Sequence, residues 1–258
     1  MEAIILAAGY ATRMYPLTKN TPKALLPLGG KPVIDYIIEQ LNNVSEVKKI
    51  FVVSNRKFFS QFSMWAKNTR SSAPIEVLDN GTTSNENRRG AIGDVAFAIE
   101  RKAINSELAV IAGDNFFTYD LREQLAVFRK TGCDTLAGKE FHDAEKIKSF
   151  AVAILNADGK VLHLEEKPQK PKSNMAIYAT YFFRKETCAM FSQYLREGNG
   201  ADNIGAFPQW LYTRRDVFAY KMNGNCYDIG TVEMYNEMNE GRGALPDVFL
   251  SNFRSRLA

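Results

Sequence analysis

Residues suited to binding a polyphosphate follow an apolar stretch near the start of the chain. Residues 3–8 are apolar and of strand length, and after them come Gly9, Thr12, Arg13 and, ten positions later, Lys23. Backbone amides of a glycine-containing loop and cationic side chains bind phosphate oxygens at the carboxyl end of a strand in open α/β sheets. The segment has neither the P-loop pattern GxxxxGK[ST] nor the dinucleotide pattern GxGxxG. It therefore predicts an anion-binding loop of another type, the alternative being a surface loop with two incidental cations.

Two aspartates occupy positions where they could hold a divalent cation on phosphate. Asp114 follows the apolar segment 108–112 and Gly113, which predicts its carboxylate at the carboxyl end of a strand. Asp228 lies in a glycine-containing turn before a helix, where a role in the turn or the helix start is the alternative. Carboxylates that converge on phosphates are the usual protein ligands of Mg2+, which keeps water and substrate oxygens in its other positions.

A glutamate lies on the more apolar face of a predicted hairpin strand. Strict alternation places Glu166 on one face with Leu162 and Leu164, and His163 and Glu165 on the other. A charge on an apolar face is costly unless a partner or a ligand satisfies it. Glu166 is therefore a candidate ligand-binding residue, unless it reaches water at the end of the strand.

The elements that position these residues follow a βα rhythm over about the first 140 residues, which predicts a mainly parallel sheet. The pattern then changes to a hairpin, further strands and a helix capped by Thr231. One α/β domain with a mixed subdomain is the resulting prediction. The predicted strands cover residues 3–8, 50–53, 75–78, 108–112, 150–155, 160–167, 175–183 and 217–222, and the predicted helices start at Pro32, Phe58, Gly90, Leu121 and Thr231.

Composition excludes several classes of protein. Hydrophobic residues make up 45% of the 258 residues and charged residues 24%, which is typical of a globular chain and not of a disordered one. The net charge of +4 comes from scattered basic residues and does not indicate nucleic-acid binding. Three cysteines without CxxC spacing indicate a reducing compartment, and no apolar run reaches the ~18 residues of a membrane span. A cytoplasmic location is therefore expected.

Taken together, the motifs resemble the sugar-1-phosphate nucleotidyltransferases, above all their glucose-1-phosphate thymidylyltransferase and uridylyltransferase branches. The similar segments occur in the family's order and span residues 3–231. They are residues 6–18 (LAAGYATRMYPLT), 22–28 (PKALLPL), 113–115 (GDN), 165–168 (EEKP), 171–174 (PKSN) and 227–231 (YDIGT).

The resemblance implies a Rossmann-like nucleotidyltransferase fold with helices on both faces of the sheet. It implies a nucleotidyltransferase domain over residues 1–241, in which roughly 1–140 bind the NTP and roughly 141–241 the sugar phosphate. Residues 242–258 form a C-terminal tail, expected to dock on the body or on a second subunit. The implied reaction joins an NTP, with dTTP or UTP favoured, to a sugar 1-phosphate, with glucose 1-phosphate favoured, and releases pyrophosphate with Mg2+ as cofactor. A homo-oligomer is possible, and neither nucleic acid nor a membrane is an expected partner.

The resemblance also assigns roles to individual residues. Arg13, Lys23 and Asp114 are catalytic, and Asp114 and Asp228 hold the metal. Glu166 binds the hydroxyls of the sugar and Lys167 its phosphate. The remaining NTP-binding residues are Leu6, Ala8, Gly9, Thr12, Gly90 and Gly113, and the remaining sugar-phosphate-binding residues are Asn174 and Tyr181.

The sequence departs from the family pattern at three places. Ala11 stands where glycine is usual, which raises the question whether the loop needs a positive φ there. Tyr178 and Ala179 stand where thymidylyltransferases commonly have Thr-Gly, and residues 80–89 do not resemble the usual base-reading segment. The base stays open between thymine, uracil and cytosine. A cytidylyltransferase acting on a sugar phosphate or a phosphocholine-like ester is the alternative enzyme, and a non-catalytic nucleotidyltransferase-like binding module is the alternative from another class.

Overall fold

The apolar segments of the first half form the parallel centre of a nine-stranded sheet. The computed structural model describes residues 1–239, apart from the side chain of Asp228, so the predicted tail 242–258 lies outside the described residues. The helices are α1 (Val33–Asn42), α2 (Phe59–Asn68), α3 (Ala91–Lys102), α4 (Leu121–Thr131), α5 (Lys185–Arg196), α6 (Ala206–Leu211) and α7 (Val232–Asn239). The strands are β1 (Glu2–Leu6), β2 (Pro27–Leu28), β3 (Lys31–Pro32), β4 (Lys49–Ser54), β5 (Ile75–Asp79), β6 (Leu108–Ala112), β7 (Asn115–Phe117), β8 (Asp134–Glu140), β9 (Ala151–Leu155), β10 (Val161–Glu166), β11 (Met175–Phe183), β12 (Val217–Lys221) and β13 (Cys226–Asp228).

The order of the strands creates a crevice at the centre of the sheet. The main path runs β10-β9-β11-β6-β1-β4-β5, and β8 and β12 extend the sheet beside β11. Strands β6, β1, β4 and β5 are parallel, whereas β11 is antiparallel to β6, β8 and β9. The chain leaves β1 on one side for β4 and returns on its other side for β6. In open α/β sheets, ligands bind at such a switch point, beyond the carboxyl ends of the strands.

Helices cover both faces of this sheet, as predicted. Alternate residues of β1 belong to different hydrophobic clusters: Ala3 and Ile5 to the one formed with α1, α2 and α4, and Ile4 to the one formed with α3, α5 and α6. This alternation follows from the pleat of a strand that is buried on both sides. The α/β fold and the mixed second half are therefore confirmed. Within residues 1–239, no helix combines the length and the apolar character that crossing a bilayer requires.

Local capping explains where several predicted helices begin. Helices α1 and α3 begin one residue later than predicted, because Pro32 and Gly90 are the cap residues just before them and are not themselves helical. The hydroxyl of Thr231 accepts a hydrogen bond from the amide of Met234 at 3.2 Å, which confirms Thr231 as the N-cap of α7.

Two predicted side-chain orientations are wrong. The hairpin of β9 and β10 forms as predicted, but its register shifts between Val161 and His163. The shift buries Val161 and exposes Leu162, which strict alternation had placed on the inner face. In α2, the helical spacing of Phe59 and Phe62 in the sequence predicts that both lie in the core, but Phe59 is exposed and only Phe62 is buried.

Candidate active site

A cleft with a volume of about 590 Å3 opens beyond the carboxyl ends of β1 and β6. Its walls come from both halves of the chain, because β6 lies between β1 and the antiparallel strand β11. Twelve of the fourteen residues predicted for the site line it, namely Leu6, Ala8, Gly9, Thr12, Arg13, Lys23, Gly90, Gly113, Asp114, Glu166, Lys167 and Tyr181.

The loop after β1 is held in an unusual backbone conformation. Ala11 has a φ of 46°, in the left-handed region, so the position that is usually glycine does require a positive φ. The loop is fixed from behind by the hydroxyl of Thr18, which donates to the Ala11 carbonyl at 2.8 Å, and by the amide of Asn55, which donates to the Ala8 carbonyl at 3.0 Å. The left-handed residue leads into a short 3-10 turn, Thr12–Met14, which presents the exposed side chain of Arg13 at the cleft.

An ion pair joins the other two predicted catalytic residues. The Lys23 ammonium lies 2.7 Å from the Asp114 carboxylate, and both side chains are partly buried. Asp114 follows β6 after Gly113, whose amide donates to the Leu6 carbonyl at 2.9 Å. A Cβ at position 113 would lie 2.7 Å from that carbonyl oxygen. Glycine there allows the backbone that carries Asp114 to approach the end of β1 closely.

The backbone brings Asp228 beside Asp114. Strands β13 and β7 pair antiparallel, with Asp228 opposite Asn115, the residue that follows Asp114. The side chain of Asp228 is outside the described part of the chain. Among the described residues, no group of three or more His, Cys, Asp or Glu side chains forms a metal cluster. Two carboxylates and the oxygens of a bound phosphate nevertheless suit Mg2+, so the donor chemistry at this position fits the expected ion.

The other side of the cleft carries Glu166 and Lys167 at the end of β10. The Glu166 side chain is only 13% exposed, and burial raises the pKa of its carboxyl, an effect that the charge of Lys167 opposes. The amide of Glu166 donates to Gln209 Oε1 at 2.6 Å. Lys167 has a φ of 49°, and its ammonium donates to Asn203 Oδ1 at 3.1 Å. Such left-handed non-glycine residues tend to occur at functional sites.

Tyr181 and Asn174 lie in different places. Tyr181 is buried in β11 beside the cleft, and burial and the charge of Glu166 raise the pKa of its phenol. Asn174 is exposed just before β11 and lines a separate recess of about 470 Å3, together with His142 and Ser173. The structure therefore does not bring Asn174 to the cleft, and its predicted contact with the sugar phosphate has no support from the geometry.

Sequence reasoning missed a hydrogen-bonded chain that ends at Asp94 in the first turn of α3. The hydroxyl of Tyr10 lies 3.3 Å from Thr82 Oγ1, which lies 2.8 Å from Asn80 Oδ1, and Asn80 Nδ2 donates to Asp94 Oδ1 at 2.7 Å. Asp94 lines the cleft and is only 6% exposed. Burial raises its pKa to about 6, whereas the Asn80 hydrogen bond and the charge of Arg89 act in the opposite direction. A charged residue within an otherwise apolar helix start was the signal available in the sequence.

The cleft combines cations and carboxylates in a way that suits two phosphorylated substrates. Arg13 and Lys23 approach it from the loop side, and Lys167 approaches it from the opposite wall. Asp114 lies between them at the end of β6. Fixed cations around one carboxylate-bearing strand end can align two phosphate groups and neutralise charge that moves between them.

Comparisons with known proteins agree with this arrangement. Residues 2–243 match the model of the family described as "Nucleotidyl transferase". The chain is 29% identical over 231 residues to the bifunctional protein GlmU of Methanocaldococcus jannaschii, with 89% of this chain and 51% of that protein covered. It is 30% identical over 243 residues to the putative mannose-1-phosphate guanyltransferase of Sulfolobus acidocaldarius, with 93% and 62% covered. The chain thus spans about half to two thirds of the length of these relatives.

A solved structure supports the fold independently. The UDP-glucose pyrophosphorylase structure complexed with UDP-glucose superposes with a TM-score of 0.78 at 22% identity, covering 93% of this chain and 97% of that one. At this identity the similarity bears on the fold alone. The family match extends over nearly the whole described chain and includes every element that lines the cleft. The chain therefore belongs to the nucleotidyl transferase family, whose similar members are named sugar-1-phosphate nucleotidyltransferases.

Proposed function

We propose that the protein transfers a nucleotidyl group from an NTP to a sugar 1-phosphate and releases pyrophosphate. The observation that carries this proposal is the distribution of charge in one cleft: Arg13 and Lys23 on the β1 side, Glu166 and Lys167 on the β10 side, and Asp114 between them. The reaction requires one site for the triphosphate of the NTP and a second site for the sugar 1-phosphate. The loop with Arg13 and Lys23 would form the first, and Lys167 with the buried carboxylate of Glu166 the second. Residues 1–140 serve the NTP and residues 141–241 the sugar phosphate in this proposal.

The reaction needs alignment more than acid–base chemistry. A phosphomonoester with a second pKa near ~6 is mostly a dianion at neutral pH, so its oxygen can attack without a general base. That oxygen forms a bond to the α-phosphorus of the NTP in line with the bond to the β-phosphate, which breaks. Lys167 holds the attacking phosphate, Lys23 stabilises charge at the α-phosphate, and Arg13 holds the departing pyrophosphate.

Asp114 and Asp228 are the residues that would hold Mg2+. When bound, the ion neutralises phosphate charge and fixes the geometry of the triphosphate. The carboxylate of Asp114 forms an ion pair with Lys23, so both groups lie next to each other at the carboxyl end of β6. Their proximity keeps a cation and a metal ligand within reach of the same phosphate.

For the substrate pair we propose dTTP or UTP with glucose 1-phosphate. The preference for glucose rests on the resemblance of the EEKP and PKSN segments to the glucose-1-phosphate thymidylyl- and uridylyltransferases, and the preference for dTTP or UTP on the overall resemblance to these branches. Glu166 would accept hydrogen bonds from sugar hydroxyls, because it is the buried carboxylate of the sugar side and lies beside the cation assigned to the phosphate.

A substrate panel tests the proposal. Pyrophosphate release is measured with dTTP, UTP, CTP, GTP and ATP against glucose 1-phosphate, mannose 1-phosphate, N-acetylglucosamine 1-phosphate and phosphocholine, with Mg2+. We expect release that requires a sugar 1-phosphate, is highest for dTTP or UTP with glucose 1-phosphate, and is nearly abolished in Asp114→Asn. Release with phosphocholine alone would instead favour a phosphate-ester cytidylyltransferase, and no release with any pair would favour a binding module.

A further inference from the structure

We propose that Asp94 reads the nucleoside of the NTP by accepting a hydrogen bond from one of its N–H or O–H donors. Asp94 lines the cleft together with Gly90, from the first turn of α3. The inference rests on the proposed function, because it assumes that an NTP occupies this part of the cleft. It names a specificity-determining residue that lies outside the segments on which the resemblance rests.

The direction of the hydrogen bonds makes Asp94 the terminal acceptor of its chain. Asn80 Oδ1 accepts from both the amide and the hydroxyl of Thr82, at 2.9 and 2.8 Å. The amide group of Asn80 is thereby oriented, and its Nδ2 must point its hydrogens at Asp94. Because the Thr82 hydroxyl donates to Asn80, the Tyr10 hydroxyl donates to Thr82. Every donor in the chain therefore points towards Asp94.

One oxygen of Asp94 remains available to a ligand. Asn80 occupies Oδ1, and no described residue donates a hydrogen bond to Oδ2. Oδ2 is not among the fully buried side-chain atoms that lack a hydrogen-bond partner, so it is the part of this mostly buried residue that reaches the cleft. For the bond with Asn80 alone, an asparagine at position 94 would serve equally well with its own carbonyl. A role limited to the fold would not need the charge.

The neighbouring groups leave the carboxylate as an acceptor. The positive charge of Arg89 opposes the effect of burial on the pKa of Asp94. Its Nε donates to the backbone carbonyl of Asn80 at 2.7 Å, and Arg89 donates no hydrogen bond to the Asp94 carboxylate. The start of α3 contributes the positive end of the helix dipole, which favours an anion there. When the carboxyl is ionised, the open position of Asp94 offers only lone pairs.

Two parts of a nucleoside could supply the matching donor. The ring N3–H of uracil or thymine is one, and a ribose hydroxyl is the other. Cytosine presents an acceptor at N3, so a carboxylate opposite this atom would reject it. A carboxylate at this position would therefore let the chain distinguish uracil and thymine from cytosine.

Binding measurements with nucleotide analogues test the inference on the 258-residue chain. The affinities of UTP, N3-methyl-UTP, 2′-deoxy-UTP, 3′-deoxy-UTP and CTP are measured without sugar phosphate by calorimetry for wild type, Asp94→Asn and Asp94→Ala. If Asp94 accepts from the nucleoside, UTP affinity falls about 10- to 100-fold in both variants. In wild type, the analogue that lacks the donor to Asp94 binds more weakly than UTP, and in the variants it binds as well as UTP. If that analogue is N3-methyl-UTP, the donor is N3–H of the base. If it is one of the deoxy analogues, the donor is the missing ribose hydroxyl.

The asparagine variant gives the sharpest result for the ring. Its amide can keep the bond with Asn80 and presents a donor where the carboxylate presented an acceptor, so the preference should shift from UTP towards CTP. Asp134→Asn is the matched control, because Asp134 is also buried with a pKa raised to about 6 but lies outside the cleft. Its nucleotide preference should equal that of wild type.

Two outcomes separate failure of this inference from failure of the proposed function. Unchanged affinities and analogue losses in both Asp94 variants, with wild type binding UTP, would overturn the inference alone. If wild type binds none of the five nucleotides and no dTTP either, the proposed transfer from a pyrimidine nucleotide fails with it. The analogue series on wild type is sufficient even if a variant does not fold, since full affinity for all three modified UTP analogues also contradicts the inference.

Discussion

Replacing Gly205 by alanine should displace the Glu166 carboxylate without harming the fold. A Cβ at position 205 would lie 2.0 Å from Glu166 Oε2 and 3.3 Å from the Cβ of Ala151. The first distance is about 1 Å shorter than the 3.0 Å below which Cβ contacts essentially never occur. The carboxylate is the end of a flexible side chain and must move by about that amount. Gly205 itself has a φ of −69°, which alanine adopts without strain.

The expected loss concerns the sugar phosphate. Charge-assisted hydrogen bonds such as those from sugar hydroxyls to Glu166 contribute about 1.5 to 3 kcal/mol, so losing them lowers kcat/KM about 10- to 100-fold. Steady-state kinetics with varied sugar 1-phosphate at saturating NTP measures this. The NTP affinity without sugar phosphate and the midpoint of thermal unfolding should stay close to wild type, because alanine adopts the helical backbone of this segment without strain.

Two controls make the test specific. Gly200→Ala adds the same methyl group in the same loop, where nothing lies within 4 Å, and should leave kcat/KM unchanged. The double variant Gly205→Ala/Glu166→Ala should lose no more than Glu166→Ala alone, because both changes act on one carboxylate. A Gly205→Ala protein that is folded and as active as wild type would refute the placement of Glu166 in sugar binding.

Three further changes follow from the structure. Lys23→Ala should lower kcat about 10²- to 10³-fold in steady-state assays, since it removes a fixed cation beside Asp114. Gly90→Ala should lower the free energy of unfolding in urea by about 1 to 3 kcal/mol, because φ is +77° and the added Cβ would lie 2.5 Å from the Ala201 carbonyl oxygen. Burial raises the pKa of Asp134 from 3.8 to about 6, so the folded state holds this proton more tightly than the unfolded state. The free energy of unfolding of wild type should therefore fall relative to that of Asp134→Asn as pH rises from about 4 to about 6, by on the order of 3 kcal/mol. Above that range, the difference between the two proteins should stay constant.

The sequence could predict the cleft because its residues follow parallel strands. Gly9 directly follows one apolar segment and Asp114 follows another after a single glycine, and the carboxyl ends of neighbouring parallel strands meet at one edge. The requirement for a positive φ at Ala11 was also visible, because glycine is the usual residue at that position. Local pattern and position in the sheet are enough for such residues.

Alternation failed where the strand is irregular. The register shift after Val161 moved Leu162 to the surface, and nothing in the sequence marks the bulge. Glu166 still shares a face with Leu164, because both residues lie beyond the shift and keep their common phase. A period-two argument is reliable only within an uninterrupted ladder.

Contacts between distant segments could not be predicted at all. Strand β8 begins with Asp134, which looks like a loop residue, yet it is buried because Thr187 and the amide of Arg184 donate to its carboxylate. The pairing of Asn80 with Asp94 depends in the same way on how β5 and α3 pack. Which polar residues pair in this way depends on the tertiary fold, and no local periodicity of the sequence indicates it.

The central step of the proposed reaction is the attack of a sugar phosphate oxygen on the α-phosphorus of the NTP. It is tested most directly with glucose 1-phosphate carrying 18O in all phosphate oxygens, incubated with UTP or dTTP, Mg2+ and the protein, followed by mass spectrometry of the products. We expect one nucleoside-diphosphate sugar for each pyrophosphate, with the label entirely in the sugar nucleotide. Label in pyrophosphate, or nucleoside monophosphate formed in place of the sugar nucleotide, would contradict this mechanism.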